Sequence, residues 1–197
     1  MNEIRLKIPI SEADARALKA GDRVLLSGLI VTARDRAHRW LVEEAKCEDV
    51  PFPLSGGVIY HCGPIVHRRE DGGWDLVAAG PTTSERMNAW VPRLLAKFGV
   101  RAIVGKGGMG RGVLDALKTS GAVYLSAVGG AAQVLAGRVM RVTGALKVEE
   151  FGIPEALWAL EVRDFPAVVT MDSRGRSLHE ETAEASRRRL LGLLETT

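Results

Sequence analysis

Three stretches of this sequence gather side chains able to hold an anion. The first is GPTTSERM, residues 80–87, with the hydroxyls of Thr82 and Thr83 and the guanidinium of Arg86. Met87, Trp90, Val91, Leu94, Leu95 and Phe98 follow at the i, i+3, i+4, i+7 spacing of an amphipathic helix. Thr82-x-x-Glu85 reads as a capping box, which predicts that the helix begins there. Arg86 would then sit in the first turn, where the helix dipole disfavours a cation. An anionic ligand between Arg86 and the free N–H groups of the helix start would resolve that conflict. A capping box followed by a surface arginine is the plainer alternative.

The second stretch is GKGGMG, residues 105–110, a loop between a buried-type strand and a helix. It is not a Walker A loop, because Val100 and Gly107 stand where a glycine and a Ser/Thr are needed, and it is not GxGxxG. It displays Lys106 at the carboxyl end of a strand, the edge where open α/β sheets bind ligands. Gly105 and Gly107 permit close backbone approach. A glycine-rich turn with a solvated lysine is the alternative. The third stretch is TARDRAHR, residues 32–39, where Arg34 ends a strand, Asp35 is a fair N-cap, and His38 and Arg39 fall on a helix. A lone histidine is more often a structural hydrogen-bonder than a catalyst, and His61, beside Cys62-Gly63-Pro64, is read the same way. Asp35 and His38 with a hydroxyl hint at a triad, but no G-x-S-x-G elbow accompanies Ser84 or Thr82. Cations, hydroxyls and glycine loops with few acids suit a small dianion such as a dicarboxylate.

The elements that must position these groups alternate between strand and helix in the centre. Strands are expected at Ile4–Ile10, Arg23–Thr32, Val58–Tyr60, Trp74–Ala79, Val100–Val104, in AVYLSAV, and around ALWALEV and AVVTM. Helices are expected in SEADARALKA behind a Ser11 cap, over residues 35–46, after GPTTSER up to Gly99, in GVLDALKTS, and over the C-terminal residues 178–197. A hairpin should turn near Asp71-Gly72-Gly73. Alternating elements with β-only edges predict one α/β domain, residues 1–197, with a mixed sheet.

Composition narrows the function classes. A net charge of +3 over 197 residues, without basic runs among aromatics, argues against nucleic-acid binding, and Arg187-Arg188-Arg189 reads as a solvated helix face. Cys47 and Cys62 lack ligand spacing and suit a reducing cytosol. Neither a signal peptide nor a membrane-length apolar run is present, so a cytoplasmic, soluble protein is expected.

GPTTSERM, then GKGGMG with Lys106 twenty residues after Arg86, together with TARDRAHR and YHCGPIV, resembles the β-subunit or C-terminal domain of class I fumarate hydratases and L-tartrate dehydratases. The likeness runs from about residue 5 to about residue 175. It implies a swivelling β/β/α fold and reversible hydration of a dicarboxylate double bond, with fumarate to malate placed first and tartrate dehydration second. A dicarboxylate-binding module without catalysis is the third reading. It also implies a 4Fe-4S cluster with one open iron, held by three cysteines of an α-subunit partner, since this chain's two cysteines cannot hold it. On that resemblance Thr82 is the expected catalytic base, needing a partner carboxylate to take its proton. Arg86 and Lys106 would bind the substrate carboxylates and the charge of the aci-carboxylate. Arg34 would add a carboxylate contact, Thr83, Gly105 and Gly107 would offer backbone N–H groups, and His38 and His61 would stand behind them.

Overall fold

Alternation along short strands sorts the side chains into two cores. In the computed structural model, which describes residues 3–194, β3 is Val58–Tyr60, β6 is Ala102–Gly105 and β7 is Val123–Ser126. Val58, Tyr60, Ala102, Val104, Val123 and Leu125 join one core, while Ile59, Ile103 and Tyr124 join the other. That is the period-2 pattern of strands buried on both faces. β1 (Glu3–Lys7), β2 (Arg23–Thr32), β8 (Val139–Leu146) and the long β9 (Leu157–Met171) complete the main sheet, and β4 (Ile65–Arg68) with β5 (Trp74–Ala78) forms a separate hairpin. The helices are α1 (Glu12–Ala17), α2 (Asp35–Glu43), α3 (Val91–Phe98), α4 (Arg111–Ser120), α5 (Ala132–Ala136), α6 (Val148–Phe151) and α7 (Leu178–Leu194).

β2, β3, β6 and β7 are successive parallel neighbours, and β9 runs antiparallel to both β7 and β2. The ladder therefore closes on itself, with β1 added along β2 and β8 along β9. The first core, around Trp158, Tyr60 and Phe165, fills the space the strands enclose. The second, around Leu41, Leu94, Leu95, Leu114 and Leu117, lies under α2, α3 and α4. Two β layers and one helical layer result, so the α/β fold with a mixed sheet is the one the sequence predicts.

Several local expectations need correction. ALWALEV and AVVTM are one fifteen-residue strand, which continues through Asp164 at φ 49 and Pro166. The Thr82-x-x-Glu85 capping box does not form, because residues 84–87 make a 3₁₀ turn after Thr83 with no side-chain cap, and α3 starts only at Val91, with a proline in its first turn. Arg86 thus lies in the last turn of a 3₁₀ element and not at the start of a helix. α2 stops at Glu43, short of residue 46. α5, β8 and α6 fall between AVYLSAV and ALWALEV, where no element is expected from the sequence. The Ser11 cap holds, its Oγ accepting from Asp14 N–H at 3.0 Å, and Gly99 ends α3 at φ 64. Residues 195–197, the end of the expected C-terminal helix, lie outside the described residues.

Candidate functional site

The carboxyl ends of β2, β3 and β6 lie side by side, and those of β2 and β6 carry two of the three stretches. TARDRAHR follows β2, His61-Cys62-Gly63 follows β3, and Lys106 follows β6. Residues 81–84 run across this edge. Thr82 N–H donates to the His61 carbonyl at 2.7 Å, Lys106 N–H to the Thr82 carbonyl at 3.2 Å, and Ser84 N–H to the Lys106 carbonyl at 3.1 Å. Thr82 and Thr83 are pinned by backbone hydrogen bonds and not by a helix cap.

Arg86 reaches over Thr82 to the start of α2. Its Nε and Nη2 donate to Asp35 Oδ1 and Oδ2 at 2.9 and 2.8 Å, and Nη2 also donates to Thr82 Oγ1 at 3.1 Å. Arg34 lies beside it, its Nε 3.2 Å from Glu155 Oε1 and 3.9 Å from Asp35 Oδ2. Glu155 also accepts from the Arg36 backbone N–H at 2.9 Å, so it covers the first turn of α2. The Lys106 ammonium is exposed and makes no ion pair or hydrogen bond among the described residues. Gly107 has φ 73 with open space around it, a backbone that side-chain-bearing residues avoid. Thr83 is exposed. Arg34, Thr82, Arg86 and Lys106 therefore meet at one sheet edge.

Beneath them lies a sealed polar layer. Tyr124 OH donates to Ser84 Oγ at 2.8 Å, and Ser84 Oγ is 2.8 Å from His61 Nδ1. Ser84 Oγ donates to His61 Nδ1 in the Nε2–H tautomer of the imidazole and accepts from it in the Nδ1–H tautomer. His38 Nδ1 faces the Arg34 carbonyl at 2.9 Å and must be the donor there. The two rings meet edge to face at 4.9 Å, and neither Nε2 has a partner among the described residues. A Cβ on Gly105 would collide with Ser84 Oγ and come within 3.1 Å of His61 Nδ1 and Tyr124 OH. The missing side chain of Gly105 thus makes room for this layer, and packing accounts for the glycine. Ser84 is fully buried, so it offers no accessible nucleophile.

Burial shapes the electrostatics. It lowers His38 to about 4, against the opposing pull of the Arg34 carbonyl and Asp35, and with His38 and Arg86 nearby it holds His61 well below its ordinary value. Both imidazoles are neutral. Burial alone would raise the Asp35 carboxyl, but the Arg86 hydrogen bond, its own backbone N–H and the charges of Arg86 and Arg34 together hold it below the usual carboxylate range. Burial pushes the Cys62 thiol up to about 12, which disfavours the thiolate a metal would require. Cys47 is exposed, and no group of three or more His, Cys, Asp or Glu suited to a metal gathers among the described residues. No helix among them is long and apolar enough to cross a membrane.

Sequence reading missed Glu155 and Tyr124. Glu155 sits in an irregular loop far along the chain, and Tyr124 looks like any core residue of a buried strand; neither has a local signal. The link from Asp35 to Arg86 spans 51 positions and was equally hidden.

Known proteins share this arrangement of sequence. A family model described as "Fumarase C-terminus" matches residues 1–182. A Geobacillus stearothermophilus protein named putative fumarate hydratase class I is 50% identical over 187 residues, covering 95% of this chain and 35% of that protein. A Methanocaldococcus jannaschii protein named putative L(+)-tartrate dehydratase subunit beta is 45% identical over 174 residues, covering 87% of this chain and 89% of that one. The L(+)-tartrate dehydratase subunit beta of Escherichia coli K12 is 36% identical over 177 residues, covering 89% and 86%. The chain spans about a third of the first relative's length and most of the other two.

Proposed function

The chain belongs to the fumarase C-terminal family, and from that premise we propose that it is the β-subunit of a two-chain hydro-lyase that reversibly hydrates fumarate to malate. The observation that carries the reading is the meeting of Arg34, Thr82, Arg86 and Lys106 at one sheet edge, with the Lys106 ammonium unpaired among the described residues. A dicarboxylate has two anionic ends about one small molecule's length apart. Lys106 supplies a mobile point charge for one end, and Arg86, with its Nη1 donors unused among the described residues, supplies the second cation for the other. Backbone N–H groups near Thr83 and Gly107 are available to the same ligand. When the α-proton leaves, charge builds on the adjacent carboxylate, and the same cations stabilise it in place.

Thr82 is the proposed proton acceptor. Its Oγ1 takes a hydrogen bond from Arg86, a charge-assisted contact that favours a more anionic oxygen. No carboxylate of the described residues hydrogen-bonds to it, and the resemblance assigns the carboxylate that relieves Thr82 of its proton to the α-subunit. The iron-sulfur cluster that the resemblance implies is likewise assigned to that α-subunit. The two cysteines here, one buried with a raised thiol and one exposed, do not fit as its ligands, and no step is routed through it.

Tartrate dehydration is the second reading, favoured by the two relatives named as β-subunits, which match this chain in length. Co-expression of the chain with its α-partner, followed by anaerobic assay on fumarate, malate and tartrate, tests both. Turnover should appear with one of these acids, and Arg86→Ala and Lys106→Ala should each abolish it while the chain stays folded. Near-normal turnover in either variant would overturn the assigned roles. Dicarboxylate binding without turnover, and without a co-purifying partner, would favour a binding module.

A further inference from the structure

Arg86 is already occupied on one edge. Of the five N–H donors of a guanidinium, Nε–H and one N–H of Nη2 go to the two oxygens of Asp35 at 2.9 and 2.8 Å, and the other N–H of Nη2 goes to Thr82 Oγ1 at 3.1 Å. The two N–H groups of Nη1 make no hydrogen bond among the described residues. Asp35 is itself held in place. It is the first residue of α2, where the helix start favours an anion. Arg34 Nε lies 3.9 Å from its Oδ2.

We propose that Asp35 is the positioning residue for Arg86: it grips the side-on edge of the guanidinium, so that one N–H is left for Thr82 Oγ1 and the Nη1 edge is left for a ligand carboxylate. This rests on the functional reading above for its ligand, but not for its geometry. A lone arginine on a surface turn has many rotamers and would lose that freedom on binding each substrate. The bidentate grip removes the rotamers beforehand, which is preorganisation. It also separates two tasks within one guanidinium. Nη2 tunes the Thr82 oxygen, and Nη1 holds substrate. Asp35 does not touch the substrate and acts through Arg86, the side chain it hydrogen-bonds.

A merely structural role is the rival, since an acid in the first turn of α2 stabilises that helix whatever it touches. Asp35→Glu distinguishes the two. It keeps a carboxylate in the first turn but moves it by one methylene, out of register with Nε and Nη2. Asp35→Asn removes the charge and one of the two acceptors. Two readouts are needed. In the full chain alone, the ¹H–¹⁵N signal of the Arg86 Nε–H, assigned by its loss in Arg86→Lys, should be sharp in the wild type and exchange-broadened in Asp35→Asn. In the reconstituted two-chain enzyme, Asp35→Asn and Asp35→Glu should each lower kcat/KM by about 10²-fold, with KM raised through Nη1 and kcat lowered through Thr82. Asp35→Glu should keep the wild-type urea midpoint. Adding Asp35→Asn to Arg86→Lys should cause little further loss, because the two act through one contact. Full activity in Asp35→Glu would show that first-turn charge is the whole role and overturn the proposal. So would an unchanged Arg86 signal in Asp35→Asn. If the wild-type pair turns over no dicarboxylate, the functional reading fails, and the arginine signal still decides the positioning.

Discussion

Replacing Gly105 with alanine tests the sealed layer beneath the site. The added Cβ would collide with Ser84 Oγ and lie 3.1 Å from both His61 Nδ1 and Tyr124 OH. All of these atoms are buried and none is the end of a flexible chain, so the clash has no easy release. Overpacking of this kind costs about 1–3 kcal/mol. Ser84 must also give up its contacts, which strands Tyr124 OH and His61 Nδ1 at roughly 1–3 kcal/mol each. The lower chain entropy of alanine returns about 0.5–1 kcal/mol. The net loss is about 5 kcal/mol, against the roughly 5–15 kcal/mol available to a domain. With a urea slope of about 2 kcal/mol/M, the unfolding midpoint should fall by about 2.5 M. The assay is urea unfolding followed by circular dichroism on the wild type, Gly105→Ala, Ser84→Ala and the double variant. Ser84→Ala removes the colliding oxygen, so Gly105→Ala should cost at least about 1 kcal/mol less in that background. A midpoint shift below about 0.5 M, or strict additivity in the cycle, would refute the packing account of Gly105.

Three further outcomes are expected. His38, with its folded value lowered to about 4 from an unfolded value near 6.5, favours folding above about pH 6.5, and that contribution of about 3 kcal/mol is lost as pH falls toward 4. His61 shifts in the same direction, so proton uptake on unfolding near pH 5, measured from the pH dependence of the urea midpoint, should approach two; a value near zero would refute neutral burial. Ser11→Ala removes the hydroxyl that accepts from Asp14 N–H and should lower stability by about 1 kcal/mol, read from the same unfolding curves. Ending the chain after Thr182 removes the part of α7 that buries no side chain and lies beyond the matched family region, so the midpoint should move by no more than about 0.5 kcal/mol equivalent.

Much of the architecture is legible in one dimension. Val58–Tyr60 and Arg23–Thr32 are strands with the bounds that their β-branched, alternating residues suggest. Ser11 and Gly99 mark helix ends through local chemistry, a hydroxyl on a free N–H and a left-handed backbone. GPTTSER shows where such reasoning stops. Its pattern satisfies a capping box, yet the backbone of Thr82 and Ser84 is taken by His61 and Lys106 on two different strand ends. Those bonds keep Thr83 extended, the turn that follows from Ser84 is 3₁₀, and the α-helix starts later. The long β9 shows a second limit, because Pro166 argues against a continuous strand until β2, β7 and β8 are all present to pair with it.

Residue types and their order therefore determine which groups are available: hydroxyls at 82 and 83, a guanidinium at 86, an ammonium at 106, and an α/β chain to carry them. Such features depend on neighbours a few positions apart, where backbone geometry is nearly constant. Folding in three dimensions adds the pairings. Asp35 meets Arg86, Glu155 meets Arg34, and Tyr124 reaches Ser84 across 40 positions. Contacts at such separations depend on strand register and sheet closure, and no local period encodes them. They set the charge state, the tautomers and the free donors of the site, and so its chemistry.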